Sequence, residues 1–142
     1  MILISIHFNF ILLRIEPLQL IKYEPGQYYK VHHDHGAYYN LPDANRDMTL
    51  LLFLSSMSGF DQGGQTSFPL LDIQVLPTMG DAIVWMNVVE PEKTQSPVPN
   101  QAALHEGMPP TNIDTIKYAC NVWIREATPS TDSKIKTEAY NT

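Results

Sequence analysis

The chain contains a single cysteine, Cys120, among its 142 residues. An internal disulfide needs two cysteines, so no disulfide framework holds this sequence together. The single cysteine does not indicate whether the protein works in an oxidising or a reducing compartment. Zinc sites built from several cysteine thiolates are excluded for the same reason. That leaves histidine and carboxylate side chains as the candidate metal ligands.

Basic residues are also scarce. Nine Lys and Arg stand against 15 Asp and Glu, and the formal net charge is −6. Because this excess of negative charge repels a phosphate backbone, we expect no nucleic-acid partner. With 44% hydrophobic and 17% charged residues the composition is that of a globular chain, and its length suits one domain with one hydrophobic core.

Long apolar segments are missing. The most apolar stretch, residues 1–13, is too short to span a bilayer and contains His7 and Asn9. It also lacks the positive n-region and the small-residue cleavage site of a secretory signal. We therefore expect no membrane span, and a strand or a truncated start in this stretch, with a targeting segment as the alternative. His7 is expected to have no function.

Short apolar runs separated by turn residues recur along the chain, whereas few windows carry a helical period. This pattern predicts a mainly β domain, arranged as a sandwich, a jelly roll or a small barrel. The predicted strands are Leu18–Tyr23, Tyr28–His35, Met48–Ser55, Thr66–Leu71, Ile73–Leu76, Asp81–Val88 and Lys117–Arg125. We expect a loop over residues 90–101 and a polar, disordered tail over residues 127–142.

The run KVHHDHGAYYN, residues 30–40, holds three of the five histidines together with an aspartate. Side chains two apart on a strand share a face, so the ligand pair is either His32 with Asp34 or His33 with His35. The first pair plus a distant histidine gives the two-histidine, one-carboxylate triad typical of Fe(II). The second pair would begin a histidine-rich site. A solvated strand end without a metal is a third interpretation, and the run alone does not decide among them.

Two further candidates lie far downstream, His105 in ALHEGMPP and Lys117 in KYACNVWIR. Alternation divides the second run into two strand faces: Lys117, Ala119, Asn121, Trp123 and Arg125 on one, and Tyr118, Cys120, Val122 and Ile124 on the other. We expect the second, more apolar face to pack on the core, with Cys120 as a small buried hydrophobe. Lysine is normally solvated, but on the first face it can look into a cavity beside Trp123.

The order of these motifs resembles one family. The run Y-E-P-G-Q-Y-Y-K-V-H-H-D, residues 23–34, resembles the metal-binding strand of the prolyl 4-hydroxylase branch of the Fe(II)/2-oxoglutarate dioxygenases. Three later runs are similar to successive family motifs: R-D-M-T-L-L-L-F-L (46–54), G-G-Q-T-S-F-P (63–69) and V-L-P-T-M-G-D-A-I-V-W (75–85). His105, Lys117 and W-I-R follow in the family's order. Five motifs in one order are far more specific than H-x-D alone.

The resemblance implies a double-stranded β-helix, or jelly roll, over residues 14–126. It implies hydroxylation of proline in a peptide or protein, with Fe(II), 2-oxoglutarate, O2 and L-ascorbate as cofactors and cosubstrates. The implied iron ligands are His32, Asp34 and His105. Lys117, assisted by the hydroxyl of Tyr23, would bind the distal carboxylate of 2-oxoglutarate.

The resemblance also assigns a peptide groove to Tyr29, Arg46 and Trp123, where aromatic faces would pack on a proline ring and the guanidinium would hold a backbone carbonyl. His33 and His35 would lie behind the ligands or on the surface. Following eukaryotic relatives, the compartment would be the lumen of the endoplasmic reticulum, and otherwise the cytoplasm. The oligomeric state stays open.

Two features depart from the family pattern. The interval from His105 to Lys117 is twelve residues, whereas the family usually counts ten, although Lys117 keeps its place six residues before Trp123. Little sequence precedes Tyr23, so we expect some of the family's N-terminal supporting helices to be lacking. Two alternatives follow: a jelly roll without activity that binds a peptide or a metal, and a zinc hydrolase. The second is disfavoured because no general-base glutamate accompanies the ligands and Lys117 would have no purpose.

Overall fold

The computed structural model describes residues 15–36, 46–89 and 98–125. Within these ranges the chain forms ten short strands: β1 (Gln19–Tyr23), β2 (Tyr29–His32), β3 (Arg46–Phe53), β4 (Thr66–Phe68), β5 (Ile73–Val75), β6 (Ala82–Met86), β7 (Val88–Val89), β8 (Val98–Pro99), β9 (His105–Gly107) and β10 (Lys117–Arg125). Three 3-10 helices lie between them: Phe60–Gln62, Pro69–Leu71 and Gln101–Ala103. The mainly β prediction is confirmed. No helix in these ranges is long and apolar enough to cross a membrane.

The strands form two four-stranded antiparallel sheets. The larger has the order β1-β10-β3-β6 and the smaller the order β2-β9-β4-β5, while β7 and β8 make a separate pair. Two antiparallel sheets of four strands are the architecture of a jelly roll. The predicted fold is therefore confirmed. The predicted domain limits, residues 14–126, stay a prediction, and residues 1–13, His7 and residues 127–142 lie outside the described residues.

The structure corrects several strand limits. The strand predicted over residues 66–71 ends at Phe68, because Pro69 has no N–H for a sheet and begins a 3-10 helix. The strand predicted over residues 28–35 ends at His32. Residues 98–99, within the expected loop, form β8, and β9 was not predicted at all. The strand β9 is only three residues long, and its sequence His-Glu-Gly has no apolar alternation.

The hydrophobic core lies between the two sheets. Leu51, Phe53 and Ala119 are its buried centre, and the partly buried side chains packed on them are Ile21, Val75, Ile83 and Trp85. Val75 belongs to the smaller sheet and the others to the larger one. The inner face of the larger sheet therefore supplies most of this core.

The predicted core face of β10 was wrong. Lys117, Ala119 and Trp123 are 2%, 0% and 8% exposed, so their face points inward, whereas Tyr118 is 37% exposed on the opposite face. The number of apolar residues on each face predicts the wrong inward face of β10, because the space between the sheets holds a cavity as well as a core. A cavity wall accommodates polar groups that a packed core would exclude. Cys120 is buried, as expected, but on the outer face.

Candidate metal centre and its cavity

Three candidate ligands meet where the smaller sheet faces the larger one. His32 ends β2 and pairs in register with His105, the first residue of β9, and Asp34 follows two residues after His32. One ligand atom from each of the three lies within 4.8 Å of the other two. The closest approaches are 3.6 Å from His32 Nε2 to Asp34 Oδ1 and 3.8 Å from His105 Nε2 to Asp34 Oδ2. This is the only such cluster within residues 15–36, 46–89 and 98–125.

Both imidazoles are oriented by backbone carbonyls. His32 Nδ1 lies 2.9 Å from the carbonyl oxygen of Lys30, and His105 Nδ1 lies 2.9 Å from that of Ala103. A carbonyl only accepts hydrogen bonds, so each Nδ1 carries a proton, and Nε2 is the nitrogen of each ring that faces the cluster and can bind a metal. Burial lowers the pKa of His105, which favours the neutral ring that metal binding needs.

The carboxylate of Asp34 is 4% exposed. Burial raises the pKa of Asp34, but the neighbouring imidazole of His32 and a hydrogen bond from Thr49 outweigh this effect, and the pKa falls to about 2. The Thr49 hydroxyl lies 2.7 Å from Oδ2. Asp34 is therefore ionised at neutral pH. Two imidazoles and one carboxylate on one side of a cavity fit the donor set that holds Fe(II) and leaves open positions.

The alternative pair, His33 and His35, does not form a second cluster. His33 Nε2 lies 2.8 Å from the carbonyl oxygen of Asn100, and His33 Nδ1 accepts the backbone N–H of His35 at 3.0 Å. Both ring nitrogens of His33 are thus engaged by the backbone. Both histidines are half-buried and border the cavity rather than lying on the surface.

A cavity of about 720 Å³ extends from the ligands between the sheets. Lys117 lines it at one end, 2% exposed, and its Nζ donates to the hydroxyl of Thr66 at 3.2 Å. Tyr23, the register partner of Lys117 on β1, presents its ring 5.8 Å from Nζ. Burial lowers the pKa of Lys117 to about 8. Because no carboxylate in the described part of the chain forms an ion pair with it, this ammonium is a natural partner for an anionic ligand.

The other end of the cavity carries Arg46 and Trp123, whereas Tyr29, which pairs with Gly107 beside the Tyr23 ring, lines the cavity nearer Tyr23. The Arg46 guanidinium lies over the Trp123 ring, 3.4 Å from its centroid, and donates twice to Glu16, Nε to Oε1 and Nη2 to Oε2, each at 2.9 Å. Arg125 Nε approaches the same Oε1 at 3.4 Å. Tyr29 is 53% exposed and meets the ring of His32 edge-on, with centroids 4.2 Å apart. The three residues predicted to line the groove therefore border the cavity, and Glu16 fixes one of them.

A family model, the 2OG-Fe(II) oxygenase superfamily, matches residues 18–125 of this chain. This chain belongs to that superfamily. The family implies Fe(II) with 2-oxoglutarate and O2 as cosubstrates, which agrees with the donor set and with the buried ammonium described above.

Relatives of this chain carry prolyl hydroxylase names. The chain is 32% identical over 130 residues to prolyl 4-hydroxylase 13 of Arabidopsis thaliana, covering 80% of this chain and 44% of that protein. It is 30% identical over 116 residues to human prolyl 4-hydroxylase subunit alpha-3, covering 78% of this chain and 20% of that protein. The chain thus spans less than half the length of these relatives.

Solved structures agree with this fold. The viral collagen prolyl hydroxylase of Paramecium bursaria Chlorella virus-1, in its 2OG complex, superposes with a TM-score of 0.66 at 30% identity over 80% of this chain and 60% of that chain. A Pseudomonas putida prolyl-4-hydroxylase superposes with a TM-score of 0.53 at 22% identity, which supports the fold alone.

Sequence reasoning missed several residues in and around this site: Glu16, Thr49, Thr66, Trp85 and Asn87. Thr66 lies in the quoted run G-G-Q-T-S-F-P and Thr49 in R-D-M-T-L-L-L-F-L, so the motifs marked their positions but not their contacts. Trp85 packs against His105, with ring centroids 4.7 Å apart. Glu16 and Asn87 carried no signal, because their partners lie 30 and 38 residues away along the chain.

The buried charge of Lys117 predicts a pH-dependent stability. Replacing Lys117 by methionine should raise the free energy of unfolding at pH 7, because the folded chain there carries the full cost of burying an ammonium. A fall of the pKa from 10.5 to about 8 corresponds to roughly 3 kcal/mol. As pH rises from 8 toward 10.5, the folded chain loses this proton before the unfolded chain does. The unsubstituted chain therefore gains stability, and the stability advantage of Lys117→Met shrinks.

Urea unfolding of both metal-free proteins between pH 7 and pH 10 measures this difference. An advantage of Lys117→Met that is constant over this range would contradict the assignment of a charged, buried lysine.

Proposed function

We propose that this chain hydroxylates proline residues in a peptide or protein and couples this reaction to the conversion of 2-oxoglutarate and O2 to succinate and CO2. The observation that carries the proposal is the pairing, in one cavity, of the cluster His32, Asp34 and His105 with the buried ammonium of Lys117. The proposed iron ligands are the three members of that cluster. When bound, Fe(II) supplies the activation of O2 that no protein side chain can provide.

The far end of the cavity suits the distal carboxylate of 2-oxoglutarate. A carboxylate buried there would be costly without a counter-charge, and Lys117 carries that charge below about pH 8. The Thr66 hydroxyl already accepts from Nζ, so its own proton is available to a carboxylate oxygen. Tyr23 lies beside them on the neighbouring strand, and we assign its hydroxyl to the same carboxylate.

The cavity wall beside the metal cluster suits a proline ring in an extended peptide. Tyr29 and Trp123 offer aromatic faces on the path to the metal cluster, and such faces pack well on a proline ring. Arg46 is assigned to a backbone carbonyl of the peptide, with its guanidinium fixed by Glu16 and by the Trp123 ring. L-ascorbate is included in the proposal as the reductant that restores iron oxidised without substrate turnover.

The proposal is tested by turnover with matched peptides. The purified chain with Fe(II), ascorbate and 2-oxoglutarate should form succinate in the presence of a proline-rich peptide and add one oxygen atom to the peptide, detected by mass spectrometry. The same peptide with alanine in place of proline is the control. Equal succinate formation with both peptides would support turnover of 2-oxoglutarate but would exclude proline as the hydroxylated residue.

Replacing Glu16 by glutamine should weaken peptide binding. The neutral amide keeps the size of the side chain but removes the charge that holds Arg46, so the guanidinium loses its fixed orientation on Trp123. Loss of one charged partner of a buried hydrogen-bonded pair costs about 2–5 kcal/mol. We therefore expect the KM for peptide to rise by at least roughly tenfold, while the affinity for 2-oxoglutarate stays unchanged.

Glu24→Gln is the matched control, because Glu24 is half-exposed and, among the described residues, its carboxylate pairs with Lys22 on the surface, at 2.6 Å. Exposed pairs of this kind contribute little, so its KM should equal that of the unsubstituted chain. A Glu16→Gln variant that behaves like Glu24→Gln would remove Arg46 from the peptide groove.

A further inference from the structure

A buried hydrogen-bond chain runs from the candidate metal centre into the larger sheet. Thr49 on β3 donates to Asp34 Oδ2 at 2.7 Å, and Asn87, after β6, donates through Nδ2 to Thr49 Oγ1 at 2.8 Å. Thr49 and Asn87 are both 0% exposed, and Asp34 is 4% exposed. Hydrogen bonds in such a dry environment are strong and strongly directional.

Each hydrogen bond in this Asn87–Thr49–Asp34 series has a fixed donor and a fixed acceptor. An ionised carboxylate only accepts hydrogen bonds, so the single hydroxyl proton of Thr49 points to Asp34. The lone pairs of Thr49 Oγ1 can then only accept, so the amide of Asn87 must turn its NH2 group toward Thr49. The opposite amide orientation would place two acceptors against each other.

Asn87 is held in place on both sides. Its backbone N–H donates to the carbonyl of Asp47 at 2.7 Å, and its own carbonyl accepts from the backbone N–H of Asn100 at 2.8 Å. Its side-chain oxygen Oδ1 is buried and has no hydrogen-bond partner within the described residues. An unsatisfied buried acceptor is costly. The amide keeps its orientation toward Thr49 despite this cost, as expected if the orientation serves the carboxylate.

We propose that Thr49 and Asn87 are positioning residues that hold the carboxylate of Asp34 in the orientation in which it binds the metal. The inference rests on the metal role of Asp34 in the proposed function. Oδ1 lies 3.6 Å from His32 Nε2 and Oδ2 lies 3.8 Å from His105 Nε2, so the carboxylate faces both imidazoles. The Thr49 hydroxyl bonds to Oδ2 from the larger sheet and, with Asn87 behind it, keeps the carboxylate from rotating away from them.

The test measures metal affinity rather than turnover. Mn(II) is titrated into the metal-free chain and free Mn(II) is followed by electron paramagnetic resonance. Thr49→Val keeps the shape of the side chain but lacks the hydroxyl, so its Kd for Mn(II) should rise by about 10- to 100-fold, as for other residues that orient metal ligands. Thr49→Ser restores the donor and should bind Mn(II) like the unsubstituted chain. Thr111→Val, which removes a hydroxyl that donates to the carbonyl oxygen of Asp61 away from the cavity, should not affect Mn(II) affinity.

Asn87 provides a second, independent measurement. Asn87→Leu should also weaken Mn(II) binding, but by less than Thr49→Val, and it should have no further effect in a chain that already carries Thr49→Val, because it acts through Thr49. If Thr49→Val does not fold, the Mn(II) affinities of the other two variants test the inference. Asn87→Leu should bind Mn(II) more weakly than Thr49→Ser.

Unchanged Mn(II) affinity in both Thr49→Val and Asn87→Leu would overturn the inference while leaving the metal site intact. Failure of the proposed function looks different: the unsubstituted chain would bind no Mn(II), or would bind it equally well after His32→Ala.

Discussion

Replacing His32 by alanine should abolish metal binding and, with it, all turnover of 2-oxoglutarate. A facial triad supplies only three protein ligands, so the loss of one leaves His105 and Asp34 to hold the ion alone. His32 is the best ligand to remove, because it is only half-buried and its truncation leaves the packing of His105 against Phe68 and Trp85 intact. Titration with Mn(II) and measurement of succinate formation give the two readouts.

His33→Ala is the matched control for that experiment. His33 is the next residue in the chain, but both of its ring nitrogens are engaged by the backbone of Asn100 and His35. The variant should bind Mn(II) with normal affinity. Loss of metal from His33→Ala but not from His32→Ala would reverse the choice of ligand pair.

Replacing Lys117 by alanine should have the second largest effect, a selective loss of affinity for 2-oxoglutarate. The side chain is 2% exposed and has no carboxylate partner of its own in the described part of the chain, so the incoming dicarboxylate would lose the buried cation proposed to bind it. Truncating one partner of a buried charge pair costs about 2–5 kcal/mol, which is a rise of roughly 30-fold or more in Kd. Isothermal titration of the Mn(II)-loaded chain with 2-oxoglutarate measures this change.

Mn(II) affinity is the internal control for Lys117→Ala, because the ammonium is not part of the ligand cluster. The variant should take up the metal normally. If it also binds 2-oxoglutarate with normal affinity, Lys117 does not contact the cosubstrate, and the distal carboxylate must lie elsewhere in the cavity.

The parts of the site that the sequence predicts are those carried by strand alternation and by ordered motifs. Period-two alternation limited the local ligand pair to two choices, and the family resemblance of the ordered motifs selected His32 with Asp34. The strand that carries His105 was not predicted, because three residues ending in glycine show no alternation. Its place is set by hydrogen bonds to β2 and β4, which only the folded chain brings together.

Contacts between distant residues account for most of what was missed. Glu16 meets Arg46 across 30 residues, and Thr49 meets Asp34 and Asn87 across 15 and 38 residues. A lone glutamate or asparagine in a sequence carries no sign of such a partner. The inward face of β10 was misassigned for a related reason: its Lys117 is buried because the fold encloses a polar cavity, which overrides the usual preference of lysine for solvent.

The strand β10 runs from one end of the cavity to the other. It is a nine-residue central strand, bonded to β1 on one side and to β3 on the other. Lys117 and Trp123 are six residues apart on it, a span of ~20 Å. The strand therefore sets the distance between Lys117, which is proposed to bind the cosubstrate, and Trp123, which is proposed to contact the peptide. The longer connection between His105 and Lys117 ends where β10 begins. Its length can therefore vary without changing the distance between the proposed cosubstrate site and the proposed peptide site.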